Sequence, residues 1–558
     1  MRASACGVAI AGLTLVLAAA GCSPQWYKES ADREVYSIIE QKTKRVPGML
    51  EEFSIEAEEE AVLRTCPFVT EEEAFGVETP ADAEQAEGRE AEPAPPVRML
   101  DLQRALEVAA LNSREYQSQK EDVYLEALAL TLERYRFDPQ FFGTLTGNYD
   151  NTDSGDTEQV SGDSGFGFTK LFKTGALLSV NLATEVSQFL TGDPRKSERS
   201  ILNLSITQPL LQGSGIAVTE PLTQAERDAI YQIRNFVRFR RQFFVRVLSD
   251  YYNVLESLQV LRNEQTNSEN LQFTLERARA RSEAGQLPPF QVEQTRQDVL
   301  LAADRVERAR QRYEGSLDDF KITLGLPTEA RVALDPDDLD RLRRAGVQTI
   351  EFKLEDASDL ALKHRLDLLT ANDRVYDAER KVEVAENDLL PGLDLSASLE
   401  ADTEGNSPAD FMGERIDTGV GFELDLPLDK RRERNNFRRR LIDLDRRQRD
   451  LCETRDRVLL SVRDSWRQYQ RAQSTVEIQR MRVSVAQQRV ENTQMLLEAD
   501  RAITRDVLEA QEDLLSARND LAATLVDLRV ARLALARDME ILVVTETGQM
   551  EENFDEYL

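Results

Sequence analysis

The amino-acid sequence predicts a mainly α-helical protein with a small β part, built as two internal repeats that each contain a long antiparallel helical hairpin. Three observations predict this fold class: constant offsets that align the two halves, apolar heptads over long stretches, and short alternating segments between helices. Adding 252 to the residue number aligns Pro139 with Pro391 and Leu102 with Leu354, without a gap. Repetition of this length implies two equivalent halves that pack against each other or around an axis.

A second offset, of 215 residues, aligns the ends of the two halves and places Val292 opposite Val507. At this offset, apolar residues recur at every seventh position in both copies, at Val292, Val299, Val306, Tyr313 and Phe320 and at Val507, Leu514, Leu521, Leu528 and Leu535. Rows of small residues lie opposite, at Thr295, Ala302, Ala309 and Ser316 and at Ala510, Ala517, Thr524 and Ala531. Apolar heptads are typical of helices that pack along their whole length, and small facing residues let neighbouring helices approach closely.

The first 21 residues are typical of a signal peptide, because a charged start is followed by an apolar stretch at residues 8–20 that is too short to span a bilayer. The stretch ends in Ala-Ala-Gly-Cys and resembles a bacterial lipobox, although that pattern prefers leucine at Ala19. The resemblance implies that Cys22 is acylated and becomes the first mature residue. Ser23 then implies sorting to the outer membrane. Plain secretion is the alternative interpretation.

The formal net charge of −31 is concentrated near the amino terminus, where residues 51–96 hold 15 acidic residues against two basic ones. This segment is rich in Ala, Glu and Pro and cannot bury enough apolar area to fix a fold. We therefore expect residues 22–97 to form a mostly disordered tether, in which residues 23–50 could carry a short helix. The acidic balance opposes phosphate binding and excludes nucleic acid as a partner.

The chain offers little for catalysis or metal binding. His364 is the single histidine, and no nucleophile–base pair, phosphate loop or metal-ligand spacing is present. We therefore expect no enzyme activity, no catalytic residue, no metal and no cofactor. Outside the signal peptide, Cys22 aside, the only thiols are Cys66 and Cys452, which could form a disulfide or remain unrelated.

The first repeat is predicted at residues 98–326. Its elements are, in order, a helix at 101–138, β-strands between about 140 and 208, and a helical hairpin at 221–324 that is broken at 285–289. Because Gly, Ser, Asp and Thr dominate residues 150–165, we expect a polar loop there. The first helix of the hairpin would span roughly 96 Å, which is far longer than a globular helix.

A connector is predicted at residues 327–353, and the second repeat follows at 354–544. Its elements are a helix at 354–390, strands at about 392–426, and a helical hairpin at 434–542 that is broken at 500–504. An acidic tail occupies residues 545–558. No later stretch reaches about 18 apolar residues, so the sequence predicts no transmembrane helix.

Together, an envelope-targeting signal, a few amphipathic strands and very long helices constrain the architecture. Strands cross an outer membrane only in a closed barrel, because an open edge leaves amides unpaired in lipid. Four to six strands per chain are fewer than the minimum of about eight. The barrel must therefore be shared between chains, and the helices would continue from it as a cylinder into the periplasm.

At this point the sequence resembles the TolC family of outer-membrane efflux proteins, over about residues 100–545. The matching motifs are Leu102-x-x-Ala105-Leu106-x-x-Ala109, Pro139, Gln208-Pro209-Leu210-Leu211, Leu324-Gly325-Leu326 and the stretch from Ile503 to Ala510. The resemblance implies a homotrimer with a 12-stranded barrel on an α-helical periplasmic tunnel. It also implies an outer-membrane location, both lipid-anchored and barrel-inserted, and passive conduction from an inner-membrane transporter through a periplasmic adaptor, in efflux or type I secretion.

The resemblance also assigns roles to the hairpin tips. Asp506 and Glu509 stand where the family has acidic residues that narrow the periplasmic entrance, and their spacing places both on one helix face. An exposed, solvated acidic pair is the alternative. The adaptor would contact the tips at Gly285, Gln286, Leu287, Gln291, Asp500, Arg501 and Thr504.

Two features depart from the family pattern. Gln291 stands where an acidic residue is usual, next to an uncommon Pro288–Pro289 pair. Extra strand candidates lie between residues 150 and 200, and we expect them to form an extracellular hairpin or long extended strands and not a larger barrel. The main alternative function is a non-conducting, lipid-anchored coiled-coil structural lipoprotein of the envelope. The sequence does not separate a drug outlet from a protein outlet.

Overall fold

The structure is a computed structural model that describes residues 23–50, 53–56, 98–152, 157–189, 196–345, 353–403, 415–499 and 501–552. The helices of these residues are α1 (Pro24–Thr43), α2 (Leu102–Asn112), α3 (Arg114–Tyr135), α4 (Ile216–Glu283), α5 (Pro289–Thr323), α6 (Asp337–Ala345), α7 (Leu354–His364), α8 (Leu366–Asn387), α9 (Arg431–Glu498) and α10 (Thr504–Asp538). The strands are β1 (Arg98–Leu100), β2 (Gln140–Thr152), β3 (Thr157–Leu171), β4 (Leu177–Phe189), β5 (Lys196–Pro209), β6 (Val332–Leu334), β7 (Gly392–Asp402), β8 (Arg415–Asp425), β9 (Leu542–Val544) and β10 (Met550–Glu552).

The predicted fold class, mainly helical with a smaller sheet and two internal repeats, is confirmed. Helices α7 and α8 begin and end where the first offset places the ends of α2 and α3. Helices α9 and α10 begin and end where the second offset places the ends of α4 and α5. The two offsets found in the sequence therefore correspond to whole elements, with matching first and last residues.

The chain divides into two compact units. The first contains the described parts of residues 1–47, 122–234 and 369–454, and the second those of residues 48–121, 235–368 and 455–558. Helices α4 and α9, of 68 residues each, contribute to both units. No helix of the described residues is both long and apolar enough to cross a membrane.

The first unit holds a six-stranded antiparallel sheet with the order β2-β3-β4-β5-β7-β8. The prediction of a polar loop at 150–165 is wrong for the described part, because residues 157–165 belong to β3. Hydrogen-bonded ladders to β2 and β4 on either side satisfy the backbone and outweigh the low strand propensity of Gly, Ser and Asp. The extra strands do not form a separate hairpin either, because they lie between β2 and β5 within the sheet.

Residues 23–50 carry the short helix that the sequence allowed, α1, which packs into the first unit, so this part of the predicted tether is ordered. Val35, Ile38 and Ile39 occupy one helix face and are at most 2% exposed. The Tyr124 hydroxyl donates to Asp32 at 2.6 Å, which fixes the helix from its polar side. A narrow i, i+3, i+4 apolar face is enough to order a helix that can pack against a larger body. Residues 57–97 lie outside the described residues.

Charged side chains join α4 to α8 in the first unit. Asp377 accepts a hydrogen bond from Tyr231 at 2.6 Å and pairs with Arg227 at 2.5 Å and Arg380 at 2.9 Å. Arg380 also reaches Glu220 at 2.9 Å. The Asp377 side chain is 5% exposed, so these partners compensate for its removal from water.

The core of the second unit centres on aromatic side chains between α3 and α4. The Tyr116 ring lies 5.3–6.4 Å from each of its neighbours Phe236, Phe239, Phe243 and Phe244. Elsewhere in this unit the small rows of α5 and α10 are buried except at Ser316, which is half-buried, and Ala302, Ala510 and Ala517 are fully inaccessible. Small buried side chains at every seventh position agree with close helix packing.

The predicted helices at 101–138 and 354–390 are each interrupted. Ser113 and Arg365 take extended backbone conformations between α2 and α3 and between α7 and α8. The backbone of Asn112 packs directly on Gly325, which closes the first hairpin with φ +75°. The interruption therefore lets the chain bend where the end of α5 meets it. Glu540, which the second offset aligns with Gly325, has the same left-handed conformation with φ 64°, which ends α10 before the predicted end at 542.

The connector and the tail are more ordered than predicted. Within the connector, β6 pairs in parallel with β1, and α6 follows. The described part of the tail forms β10, which pairs with β9 as a short antiparallel hairpin. Residues 1–22, Cys66 and residues 553–558 lie outside the described residues, and Cys452 is exposed.

Candidate channel wall and hairpin tips

The six-stranded sheet has one apolar face and one polar face across its whole width. One row of paired residues crosses all six strands at Phe141, Phe168, Val180, Leu204, Leu399 and Thr418. The neighbouring row crosses them at Gln140, Thr169, Ser179, Ser205, Ser398 and Gly419. Because successive residues of a strand point to opposite faces, the register separates apolar from polar side chains.

The apolar face is uncovered within the described chain. Phe141 is 77% exposed, Val420 76% and Phe422 71%. Side chains of this size and number rarely face water over a continuous surface. The strands contain 11–15 residues each, which is enough to cross a bilayer when tilted. The face is therefore suited to contact a nonpolar medium.

Strands β2 and β8 are the edges of this sheet, and neither has a second strand partner among the described residues. An edge strand presents a row of unpaired N–H and C=O groups, which readily pair with another strand. The apolar side chains at both edges are exposed, including Leu145 on β2 and Ile416 on β8. A sheet with such edges is complete only when another strand adds to it.

The second hairpin tip, between α9 and α10, carries the two predicted gate residues. Asp506 and Glu509 are both exposed on the first turns of α10. The Asp506 carboxylate accepts the Ile503 backbone N–H at 3.0 Å, which caps the helix amino terminus. Arg489 of α9 donates to Glu509 at 3.3 Å and also pairs with Asp513. Both acidic side chains thus have local partners within the chain.

The pairing between α9 and α10 continues along the hairpin. Two helical turns before Arg489, Arg482 pairs with Asp520, which lies two turns after Asp513. All four side chains remain 43–50% exposed, so each pair contributes at most about 1 kcal/mol to stability. Their effect is to hold the two helices of the hairpin in one register.

The first hairpin tip, between α4 and α5, differs in charge. Gln291 occupies the position equivalent to Asp506, and Gln294 the position equivalent to Glu509. Gly285 has φ +71°, and the Gln286 N–H donates to the Arg281 carbonyl at 2.8 Å, as in a Schellman ending of a helix. Phe290 is 68% exposed at the start of α5. This tip therefore presents amide and apolar groups where the other presents carboxylates.

Polar contacts connect the first hairpin to α10. Arg305 of α5 pairs with Glu512 at 2.6 Å, and Asn263 of α4 donates to Asn519 at 2.5 Å. Burial raises the pKa of Glu264; the Arg305 charge opposes that rise, and Glu512 adds to it. These contacts place α10 against both helices of the first hairpin within the second unit.

The remaining predicted site residues are distributed over both tips. Gly285, Gln286 and Arg501 are exposed, Leu287 and Gln291 are half-buried, and Thr504 begins α10. Asp500 and Cys22 lie outside the described residues.

Sequence reasoning missed Arg482 and Arg489, although a signal exists: Arg489 and Asp513 are equally far from Arg501 along the chain, and so are Arg482 and Asp520. Among the described residues, no group of three or more His, Cys, Asp or Glu side chains is placed to hold a metal.

Comparison with known proteins agrees with this geometry. Residues 357–538 match the profile of the family described as outer membrane efflux protein. A search of curated proteins gave no match. Among solved structures, CusC, from a study of folding and transmembrane channel formation, is 13% identical, with a TM-score of 0.58 over 81% of this chain and 97% of CusC.

Two outer-membrane channels with named organisms are similar to the same degree. The Campylobacter jejuni CmeC channel is 12% identical, with a TM-score of 0.57 over 82% of this chain and 88% of its own. The open state of the Neisseria gonorrhoeae MtrE channel is 12% identical, with a TM-score of 0.57 over 78% and 88%. At these identities the likeness shows the fold. Residues 357–538 therefore match the outer membrane efflux protein family, and the chain shares its fold with these channels.

Proposed function

We propose that this chain is the outer-membrane channel of a tripartite efflux or type I secretion system. It would conduct substrates passively to the exterior after an inner-membrane transporter and a periplasmic adaptor deliver them. The observation that carries this proposal is the sheet with one apolar face, one polar face and two open edges. Such a sheet fits the wall of a barrel that several copies of the chain complete in a bilayer.

The assembly we propose is a homotrimer. The described part of one chain supplies six strands to this sheet, which is fewer than the roughly eight of the smallest closed barrels. Long helical hairpins from three copies would then enclose a periplasmic tunnel.

We also propose that residues 1–21 are a signal peptide and that Cys22 is acylated, because the apolar stretch at residues 8–20 ends in a sequence that resembles a lipobox. Helix α1 begins almost immediately afterwards, at Pro24. A lipid anchor there would hold the start of α1 at the outer membrane. Cys22→Ser should abolish labelling by a fatty-acid analogue, and persistent labelling would contradict the assignment.

The hairpin tips would form the periplasmic entrance and contact the adaptor. Three copies of Asp506 and Glu509 would bring six carboxylates to one constriction, which repels anions and binds cations. Glu509 is held by Arg489 of the neighbouring helix, which supports a defined position for its carboxylate at the tip. Gly285, Gln286, Leu287, Gln291, Asp500, Arg501 and Thr504 are the proposed contacts for the adaptor.

Single-channel recording of the purified protein in a planar bilayer tests the proposal, with the oligomer mass measured on the same sample. A channel predicts a trimer with stable unitary currents. A folded, helical protein that remains monomeric and gives no currents would instead favour the alternative of a lipid-anchored structural lipoprotein. Helix content from circular dichroism would confirm that a silent sample is folded.

The gate is tested with the double variant Asp506→Asn and Glu509→Gln. Asparagine retains an oxygen that can cap the Ile503 N–H, so the helix end survives while the charge is lost. We expect higher conductance and weaker block by multivalent cations, because the carboxylate ring is removed. Asp520→Asn, a change in an exposed acid of the same helix that pairs with Arg482, is the matched control. Wild-type currents and block in the double variant would remove both residues from the gate.

A further inference from the structure

We propose that β3 and β4 are membrane-spanning wall of the barrel, so that three copies close an eighteen-stranded barrel and not a twelve-stranded one. The inference deepens the proposed function and rests on its trimeric channel. It concerns the two strands that the sequence suggested would leave the membrane as an extracellular hairpin. The partner at each open edge is a second copy of this chain.

The first argument is continuity of pairing. β3 pairs with β2 from Thr157 to Thr169 and with β4 from Gln159 to Leu171, with no break in either ladder. β4 continues the sheet by pairing with β5 along almost its whole length. A hairpin that stood outside the barrel would leave β2 beside β5, but the structure places two complete strands between them. Without these strands in the wall, the facing backbone groups of β2 and β5 would remain unpaired unless β2 and β5 formed hydrogen bonds with each other.

The second argument is the side-chain pattern. On β4, Leu178, Val180 and Leu182 alternate with Ser179 and Asn181. The apolar set pairs with β3 through its Phe166 and Phe168 on one side, and with the apolar set of β5 on the other. An extracellular hairpin is surrounded by water, so we would not expect it to carry an apolar face in register with lipid-facing neighbours. The pattern is that of strands with one face in lipid and one face in a polar lumen.

The third argument is the position of the strands relative to the membrane. The row from Phe141 to Thr418 crosses β3 and β4 between β2 and β5 and continues into β7 and β8 of the second repeat, so all six strands contribute to it at the same position along the sheet. β2 to β5 contain 13–15 residues against 11 in β7 and β8. The first-repeat strands therefore share the membrane level of the second-repeat strands and extend beyond it.

The consequence is a wider pore. With strands about 4.8 Å apart and tilted by about 40°, eighteen strands give a barrel diameter of about 36 Å, against about 24 Å for twelve. The cross-section increases about twofold. The lumen face carries hydroxyl and amide side chains on β4 and β5, such as Ser179, Asn181 and Asn203, and carboxylates on β7 and β8, such as Glu400 and Glu423. A barrel of this width and lining fits a large, polar cargo, such as a protein segment, better than a small apolar compound.

Quenching of tryptophan by brominated lipid tests whether β4 faces the bilayer. The full-length chain would carry Trp26→Phe and Trp466→Phe, with one new tryptophan, in vesicles of dibrominated or ordinary phosphatidylcholine. Leu182→Trp probes the apolar face of β4, and Asn181→Trp, its neighbour on the other face, is the matched control. Val420→Trp in β8 reports whether the sheet is in the membrane at all.

We expect the Leu182→Trp signal to fall as far as that of Val420→Trp, while Asn181→Trp keeps its fluorescence. Quenching at position 420 with none at 182 would overturn the inference and leave the proposed channel intact. Equal quenching at 181 and 182 would also overturn it, because both faces of a wall strand cannot meet lipid. No quenching at either 182 or 420 would contradict the proposed membrane function itself. The mass of the oligomer determines the number of strands in the barrel. A trimer gives eighteen strands, whereas a dimer would give twelve and would refute the proposed number.

Discussion

Substituting alanine for Gly325 should destabilise the junction between the first hairpin and the helices that precede the sheet. Gly325 has φ +75°, a conformation that residues with a Cβ adopt only with strain. A Cβ atom there would lie 2.0 Å from the Asn112 carbonyl oxygen and 2.5 Å from its carbon. Both are backbone atoms, so the contact cannot be relieved by turning a side chain.

Gly285 provides a matched comparison, because it has φ +71° but no atom within 4 Å of the position of its Cβ. Gly285→Ala should therefore cost only the strain of the left-handed backbone, about 1–2 kcal/mol. Gly325→Ala should cost the same and also about 1–3 kcal/mol for displaced packing, or about 3 kcal/mol in all. Since about 1.4 kcal/mol corresponds to a factor of ten, local opening should increase about tenfold at Gly285 and about a hundredfold at Gly325.

Hydrogen–deuterium exchange measures both openings. For Gly285→Ala the reporting amide is that of Gln286, which donates to the Arg281 carbonyl at 2.8 Å. For Gly325→Ala it is that of Leu326, which donates to the Lys321 carbonyl at 2.8 Å. If the two substitutions accelerate exchange equally, the close approach between Gly325 and Asn112 is not what stabilises this junction, and the reasoning fails.

Two further predictions concern buried charge. Asp377→Ala removes the carboxylate shared by Arg227 and Arg380, which keep Asp373 and Glu220 as partners, and should cost about 1–3 kcal/mol, measured as faster exchange of the α8 amides. The control Asp443→Ala removes an exposed acid whose Arg446 partner is 3.9 Å away, and equal effects would contradict the assignment. Burial would raise the pKa of Asp367, but hydrogen bonds from Arg365 and the charge of Arg238 outweigh it and hold the pKa below its usual value. The stability from this pair is therefore present above the unfolded-state pKa, near 4, and lost as the pH falls through the lower folded-state value. Asp367→Asn should reduce that acid-side loss in unfolding titrations, and an unchanged pH profile would count against the pairing.

The sequence predicted the helical part of the fold well, because the physical signal there is long and periodic. A heptad pattern repeated over many turns specifies a helix and its buried face, and the offset from Val292 to Val507 located both hairpins. The tips at Gly285–Pro289 and at residues 500–504 were predictable because a glycine and two prolines interrupt the first pattern and the second offset carries that break to the other hairpin. The structure places the helix ends within a few positions of these breaks.

The first half of β3, residues 157–165, could not be predicted as strand, because its residues are individually poor strand formers. Ser161, Gly162, Asp163 and Gly165 have a low intrinsic preference for strands, and pairing with β2 and β4 outweighs it. The interruption at Ser113 was equally hidden. Neither Gly nor Pro marks it, and it depends on contact with Gly325, which is distant in the chain.

The candidate site was predicted in part. The acidic pair at the second tip was found from its resemblance to the family, but Arg489, the partner of Glu509, belongs to the other helix and becomes a neighbour only when the hairpin closes. The alternation of a few segments predicted amphipathic strands, whereas the union of their faces into one continuous surface depends on a register that no single strand encodes. A short helix at residues 23–50 was allowed by the sequence, but its packing against the first unit was not predicted, because the partner surface lies far along the chain.

The most direct test of the account is an electron cryomicroscopy map of the wild-type protein in lipid nanodiscs. The account predicts three copies around one axis, with a closed barrel in the bilayer in which β8 of each copy pairs with β2 of the next. A single copy with its sheet outside the lipid, or a helical assembly attached to the membrane surface, would contradict the account.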